Sequence, residues 1–234
     1  MLAFSSLLGN VEGQNIYRIW YDKPASYWEE ALPVGNGRIA AMVFGDPQLE
    51  QIQLNEETVS AGSPYQNYNE EAKTALPEMR RLIFEGKYEE AQNMAATKIL
   101  SQVGNEMPYQ TVGRLNIRYQ DHKKVNNYYR DLDISNAVAV TRYEVDGVEF
   151  TEETFASFTD QLVIRHIKAS KPGTINCELF FNTPMRDPKR SIYGKKGLRL
   201  EGITHGSRYF PGKVHYCAAV SYTHLRAHET RSNL

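Results

Sequence analysis

Apolar and polar positions alternate with a period of two over most of this chain, and the period lengthens to that of a helix in one stretch. From about Ile16 to Leu54 the pattern is strand-like: Arg38 to Phe44 form a short apolar run, and Ile52 and Leu54 alternate with Gln51 and Gln53. Gly35, Gly37 and Gly45 punctuate it. Ala72, Leu76, Met79 and Ile83 then recur at helical spacing and predict one stripe packed against a sheet. Asn69 with Glu70 and Glu71 suits a helix start, because an Asx oxygen accepts from free amides and carboxylates complement the positive end of the dipole. Pro77 is expected to divide the stretch and open a second helix at its first turn. Gly86 offers a stop, and Tyr88, Ala91, Ala95 and Ile99 suggest a third short helix.

After Pro108 the alternation returns. Leu115, Ile117 and Tyr119 share one face, and Val138 and Val140 lie opposite Ala139 and Thr141. Asp146-Gly147, between Thr141 to Val145 and Val148 to Phe150, is a hairpin signal, since a two-residue type I′ turn needs positive φ at both central positions. Further strands are expected at Gln161 to Lys168, at Thr174 to Phe181 with Ile175, Cys177, Leu179 and Phe181 on one face, and near Val214 to Val220; Lys171-Pro-Gly173 turns the chain between the first two. Repeated short strands without βαβ alternation predict a mainly β protein, an antiparallel β super-sandwich with a short helical insert at about 69–101.

Length and charge narrow the function classes. The 234 residues suffice for one large β domain or two small ones that need neither disulfide nor metal for a core. A formal net charge of −1 creates no broad field for nucleic acid or an anionic membrane. No apolar run approaches the roughly 20 residues of a membrane span. Cys177 and Cys217 fall on separate predicted strands and read as two independent thiols. Residues 1–15 read as a leader or an unstructured N-terminus: Met1 to Gly9 is apolar but lacks preceding basic residues and a following small-x-small cleavage pattern. Residues 221–234 break the pattern abruptly and are expected to be a non-native tail. His224 and His228 have i, i+4 metal-ligand spacing there, but no third ligand is evident.

Candidate chemistry is sparse. Hydrolysis by carboxylates needs a proton donor and a base or nucleophile on either side of the bond that breaks. Glu56 and Glu57 are adjacent, so on a strand they point to opposite faces; Asp131 and Asp133 share a face, roughly 6.6 Å apart at the backbone, and solvated surface carboxylates account for them. The sequence has no phosphate loop, no Gly-x-Ser-x-Gly elbow, no His-Glu-x-x-His helix and no Cys-x-x-Cys pair, so no cofactor or metal is expected. Val34-Gly-Asn-Gly37 reads as a tight, close-packed turn.

Two segments carry a family likeness: Ala31-Leu-Pro-Val-Gly-Asn-Gly-Arg-Ile-Ala-Ala-Met-Val-Phe-Gly45 and Gln53-Leu-Asn-Glu-Glu-Thr58. With Ile19-Trp-Tyr-Asp-Lys-Pro-Ala25, Leu82-Ile-Phe-Glu-Gly-Lys-Tyr88, Tyr109-Gln-Thr-Val-Gly113, Tyr129-Arg-Asp-Leu-Asp133 and Phe155-Ala-Ser157, in order, the chain resembles the N-terminal part of glycoside hydrolase family 95, the α-L-fucosidase-like enzymes. The resemblance covers about residues 16–220 and implies an N-terminal β-sandwich domain over that range. It further implies a partner in the helical-barrel catalytic domain of the same parent, a fucosylated glycan as the parent's substrate, and inversion by barrel residues this chain does not hold. The chain is then a truncated fragment, inactive alone, and no catalytic residue carries over. Asn36, Asn55 and Glu56 are the candidates for the substrate entrance or the domain interface. Val59-Ser60 stands where the family commonly has Leu-Trp, so an aromatic contact is missing there. A periplasmic or extracellular location follows if the parent carries a signal peptide. The alternative is a stand-alone carbohydrate-binding or scaffold module, which exposed Tyr and Trp on one sandwich face would favour.

Overall fold

The computed structural model describes residues 17–62, 66–101, 107–206 and 211–222. The leader assigned to 1–15, the His224/His228 pair and all but the first two residues of the tail at 221–234 lie outside these. The chain divides into two compact units, one holding residues 17–57 and 114–182, the other the described parts of 58–113 and 183–222.

The first unit is a β-sandwich. One sheet orders β1 (Arg18–Tyr21), β6 (Val125–Asp133), β7 (Val138–Val145), β8 (Val148–Ser157) and β9 (Leu162–Ala169) as β1-β6-β7-β8-β9, with every neighbouring pair antiparallel. The other orders β2 (Leu32–Gly35), β3 (Ile39–Val43), β4 (Leu49–Glu56), β5 (Gly113–Tyr119) and β10 (Cys177–Asn182) as β10-β5-β4-β3-β2. The alternation predicts which side faces in. Ala139, Tyr143 and Phe150 of the first sheet and Val43, Ile52, Ile117 and Phe181 of the second are buried, and at about 25 cal/mol per Å² such apolar faces supply most of the folding energy. Asp146 (φ 49°) and Gly147 (φ 70°) make the expected primed turn, holding Val145 opposite Val148. Asn127 (φ 50°) marks a break in the β6–β7 register.

The second unit holds α1 (Ala72–Phe84), α2 (Tyr88–Met94), a π-helical turn over Ala95–Ile99, and a sheet ordered β11 (Arg186–Ile192), β12 (Gly197–Ile203), β13 (His215–Ser221). Asn69 Oδ1 accepts from the Glu71 amide at 3.0 Å, so the start of α1 is as expected. Two readings of the insert need correction. Pro77 lies inside α1 and does not open a second helix; it deletes a single backbone bond, to Lys73, while Ala75 and Leu82 on either side anchor the helix by burial. The buried stripe runs through Ala75 and Leu82 and leaves Ile83 exposed, because the 3.6-residue period rotates position 83 off that line. None of the helices among the described residues is long and apolar enough to cross a membrane. Cys177 is buried, Cys217 is exposed, and both are free thiols.

Candidate functional site

Polar chemistry is concentrated inside the sandwich. Glu50 on β4 faces inward and is fully buried; its Oε1 accepts from the amides of Phe44 (3.1 Å) and Gly45 (3.0 Å), and its Oε2 accepts from Arg165 Nη2 on β9 at 2.8 Å. The same Nη2 donates to Glu152 Oε2 on β8, while Arg165 Nη1 donates to Thr154 Oγ1 at 2.8 Å. Glu152 Oε1 takes the hydroxyls of Tyr119 (2.6 Å, β5) and Tyr143 (2.7 Å, β7). One guanidinium and two carboxylates therefore tie both sheets together at a shared centre.

Burial, then the neighbouring Glu152 charge, pushes Glu50 up to about 7 against the pull of Arg165 and the Gly45 amide. Burial works to lower Arg165, but Glu152 and Glu50 outweigh it and hold the guanidinium above its ordinary value. Burial and the Glu152 carboxylate raise the Tyr119 and Tyr143 hydroxyls, which stay donors. His122 stacks on Tyr119 (centroids 4.4 Å apart) and packs against Phe150, its Nδ1 2.9 Å from the Pro47 carbonyl oxygen. Burial lowers its pKa, so the neutral ring is favoured. Beside it, a cleft of about 630 Å³ is lined by Gln120, Asp121, Asn176 and Cys177 among others. In the cleft Asp121 Oδ2 accepts from Asn176 Nδ2 at 3.2 Å, and burial pushes the Cys177 thiol up to about 11.

The sequence-derived candidates meet at one end of the β2–β3–β4 ladder, but not on one face. Asn36 is buried in the β2–β3 hairpin: its Oδ1 accepts from the amides of Arg38 (3.1 Å) and Ile39 (2.9 Å), and its Nδ2 donates to the Ser157 carbonyl at 2.8 Å. Arg38 Nε then reaches Glu56 Oε1 at 3.3 Å. Asn55, opposite Ala40, projects to the other side of the sheet from Glu56, opposite Ile39. Its Oδ1 is buried and has no hydrogen-bond partner among the described residues.

Asp131 and Asp133 are not solvated carboxylates. Asp131 has 0% of its side chain exposed and accepts from Arg18 Nη1 at 2.6 Å; burial lifts its pKa in spite of that partner. Asp133 receives Arg18 Nη2 at 3.2 Å and caps the β6–β7 turn through the Ser135 and Asn136 amides, which with the Asn136 side-chain amide hold it below the usual carboxylate range. Sequence reading missed the Glu50–Arg165–Glu152 centre. A charged residue at an inward position of an alternating strand was the available signal, as at Glu50 beside Ile52. Among the described residues, no group of three or more His, Cys, Asp or Glu side chains gathers as a metal site would.

Comparison with known proteins places this geometry in context. Residues 19–231 match the family described as glycosyl hydrolase family 65, N-terminal domain. The chain is similar to Alpha-L-fucosidase 2 of Arabidopsis thaliana, 37% identical over 181 residues, which cover 75% of this chain and 21% of that protein. It is also similar to Probable alpha-fucosidase A of Aspergillus niger, 26% identical over 162 residues (65% of this chain, 20% of the relative), and to the protein of that name in Aspergillus oryzae, 25% over 174 residues (70% and 23%). The chain thus spans about a fifth of the length of these curated relatives.

Proposed function

The chain belongs to the family of glycosyl hydrolase family 65 N-terminal domains, and from that premise we propose that it is the front β-sandwich of an α-L-fucosidase-like hydrolase of the family 95 type. On this reading the parent cleaves fucosylated glycans with inversion, and its acid and base reside in a catalytic barrel elsewhere in the parent. The observation that carries the reading is the 37% identity to a protein named as an α-L-fucosidase over three quarters of this chain.

The chemistry of the described residues agrees. A general acid or base must reach the proton it moves. Glu50 and Glu152 are sealed between the sheets, and every oxygen they carry already accepts from a donor of this domain. Asp131 and Asp133 are bound to Arg18 and to a turn. These carboxylates build a domain and leave none poised over a scissile bond.

Of the sequence-derived candidates, we assign Asn55 to the substrate entrance or the domain interface, since its buried, unpaired Oδ1 is an acceptor available to a donor from beyond this chain. Asn36 and Glu56 hold the adjoining hairpin in shape.

The test compares the 234-residue chain with the full-length parent on 2′-fucosyllactose, with proton NMR reading the anomer released first. The expected result is no turnover by the chain alone and first release of β-L-fucose by the parent. Turnover that co-purifies with the isolated chain, or first release of the α-anomer, would overturn the reading.

A further inference from the structure

The outer face of the β1-β6-β7-β8-β9 sheet carries a side-chain arrangement that folding alone does not require. Cross-strand register aligns Trp20, Asp131, Val140, Glu153 and His166 in one row, flanked by Tyr129, Arg142, Thr151 and Lys168 on one side and by Arg18 and Asp133 on the other. Trp20 is 61% exposed, and its ring lies near-parallel to Tyr129, with centroids 6.3 Å apart and planes 19° apart. The Arg142 guanidinium sits 6.0 Å from the Tyr129 ring centroid. An indole left in water forfeits the burial energy of one of the largest apolar side chains.

Beside this aromatic pair lies a polar cluster with one acceptor unfilled. Asp131 Oδ2 is bound by Arg18, whereas the buried Oδ1 has no hydrogen bond among the described residues and lies 3.8 Å from Arg142 Nη1. Arg18 and Arg142 against Asp131 and Asp133 sum to zero charge. A neutral ligand with many hydroxyls matches that balance. A phosphate-bearing ligand would meet the Glu153 carboxylate on the same face, and a protein partner would have to cover half-exposed Glu153 and exposed Lys168, residue types depleted from interface cores. Sugar rings have an apolar C–H face that lies flat on an aromatic ring, and an edge of hydroxyls that both donate and accept.

We propose that this face is a saccharide-binding platform, on which a pyranose ring of a neutral glycan lies against the Trp20–Tyr129 pair while Arg18 and Arg142, oriented by Asp131 beneath them, engage its hydroxyls. The proposal rests on the reading of the parent as a glycan-acting enzyme and adds to it a binding surface within this domain. Asp131, sealed beneath the two guanidinium groups, holds them in place and does not itself meet the ligand. Arg18 and Arg142, already held by the carboxylate, present their remaining N–H groups to ring oxygens.

The test titrates the intact 234-residue chain with 2′-fucosyllactose, lactose, cellotetraose and maltotetraose, followed by calorimetry and tryptophan fluorescence. At least one sugar should bind saturably. Trp20→Ala should weaken that binding about tenfold or more, the size of one stacking contact. Trp20→Phe should retain most of it, and Trp28→Ala, in a short helical turn outside this sheet, all of it. Tyr129→Ala is the second probe should Trp20→Ala lose its native circular dichroism. No binding by any of these sugars up to about 10 mM, or full binding by folded Trp20→Ala and Tyr129→Ala, would overturn the proposal. The two readings fail separately. Sugar binding at Trp20 with no fucose release by the full-length parent leaves the platform standing and removes the fucosidase, and fucose release without binding here does the reverse.

Discussion

Arg165 on β9 reaches across the sandwich to Glu50 on β4, with Nη2 2.8 Å from Oε2, and it does so between residues 115 positions apart in the chain. The contact sits where both sheets turn their apolar faces inward, so the ion pair is largely screened from water, with Glu50 fully buried and the Arg165 side chain 8% exposed. Its energetics follow from that isolation. Two charges removed from water break even only when each is well bonded, and here the amides of Phe44 and Gly45 and the hydroxyls of Tyr119 and Tyr143 fill the carboxylate oxygens, while Arg165 Nε is left without a partner among the described residues.

Replacing Arg165 should therefore be severe. Arg165→Met keeps the apolar stem but leaves Glu50 and Glu152 facing each other without a cation, which should cost about 3–5 kcal/mol. Urea denaturation of the variant at neutral pH measures it. A loss below about 1 kcal/mol would mean that one carboxylate already carries a proton there and needs no cation.

Glu50 should make stability fall as pH rises. Its pKa is pushed from 4.5 to about 7 in the folded chain, so the native state keeps a proton that the unfolded chain has lost. The stability this proton confers is fully present below about 4.5 and is lost as pH climbs through about 7. The span is worth at most about 3 kcal/mol. Glu50→Gln, which cannot titrate, should flatten this slope between those values in urea melts across pH, and parallel slopes for the two proteins would contradict the assignment.

Gly45 and Gly37 both have positive φ, yet they should respond differently to alanine. At Gly45 (φ +74°) a Cβ would meet Tyr128 Oη at 2.8 Å and Arg130 Cδ at 2.9 Å, whereas at Gly37 (φ +91°) it would meet nothing within 4 Å. Gly45→Ala should cost at least about 2 kcal/mol, strain and overlap together. Gly37→Ala should cost about 1 kcal/mol, the left-handed penalty alone. Thermal denaturation of the pair reads the difference, and equal losses would show that the Tyr128 and Arg130 side chains move aside freely.

Asn36 should prove a hairpin lock. Asn36→Ala removes the acceptor for two amides and the donor to Ser157, an expected loss of about 2 kcal/mol. Asn36→Asp keeps the turn acceptor but sets a buried carboxylate oxygen against the Ser157 carbonyl, so it should recover no more than about half. Chemical denaturation compares them, and an Asn36→Ala chain as stable as the unaltered one would return Asn36 to the substrate-entrance reading.

Much of the fold was legible because alternation is a local property. The period of two names the inward residues of a strand before its partners are known, and Asp146-Gly147 and Gly37 announce turns through backbone angles that few other residues adopt. The helical stretch was visible for the same reason, though Pro77 within α1 shows that packing of Ala75 and Leu82 can override a local breaker. β11 escaped notice: Arg186–Ile192 is exposed at every position, so it carries no hydrophobic pattern, and only its ladder to β12 makes it a strand. The sequence by itself thus determined the β-rich class, the turns and the family likeness, each written within a few residues. The tertiary structure alone decided that Asp131 is buried under its ion pairs, that Glu50, Glu152 and Arg165 share one centre, and that Trp20 lies beside Tyr129 on an open face. Those relationships depend on register between strands far apart in the chain, where a shift of one residue would send every side chain to the opposite face.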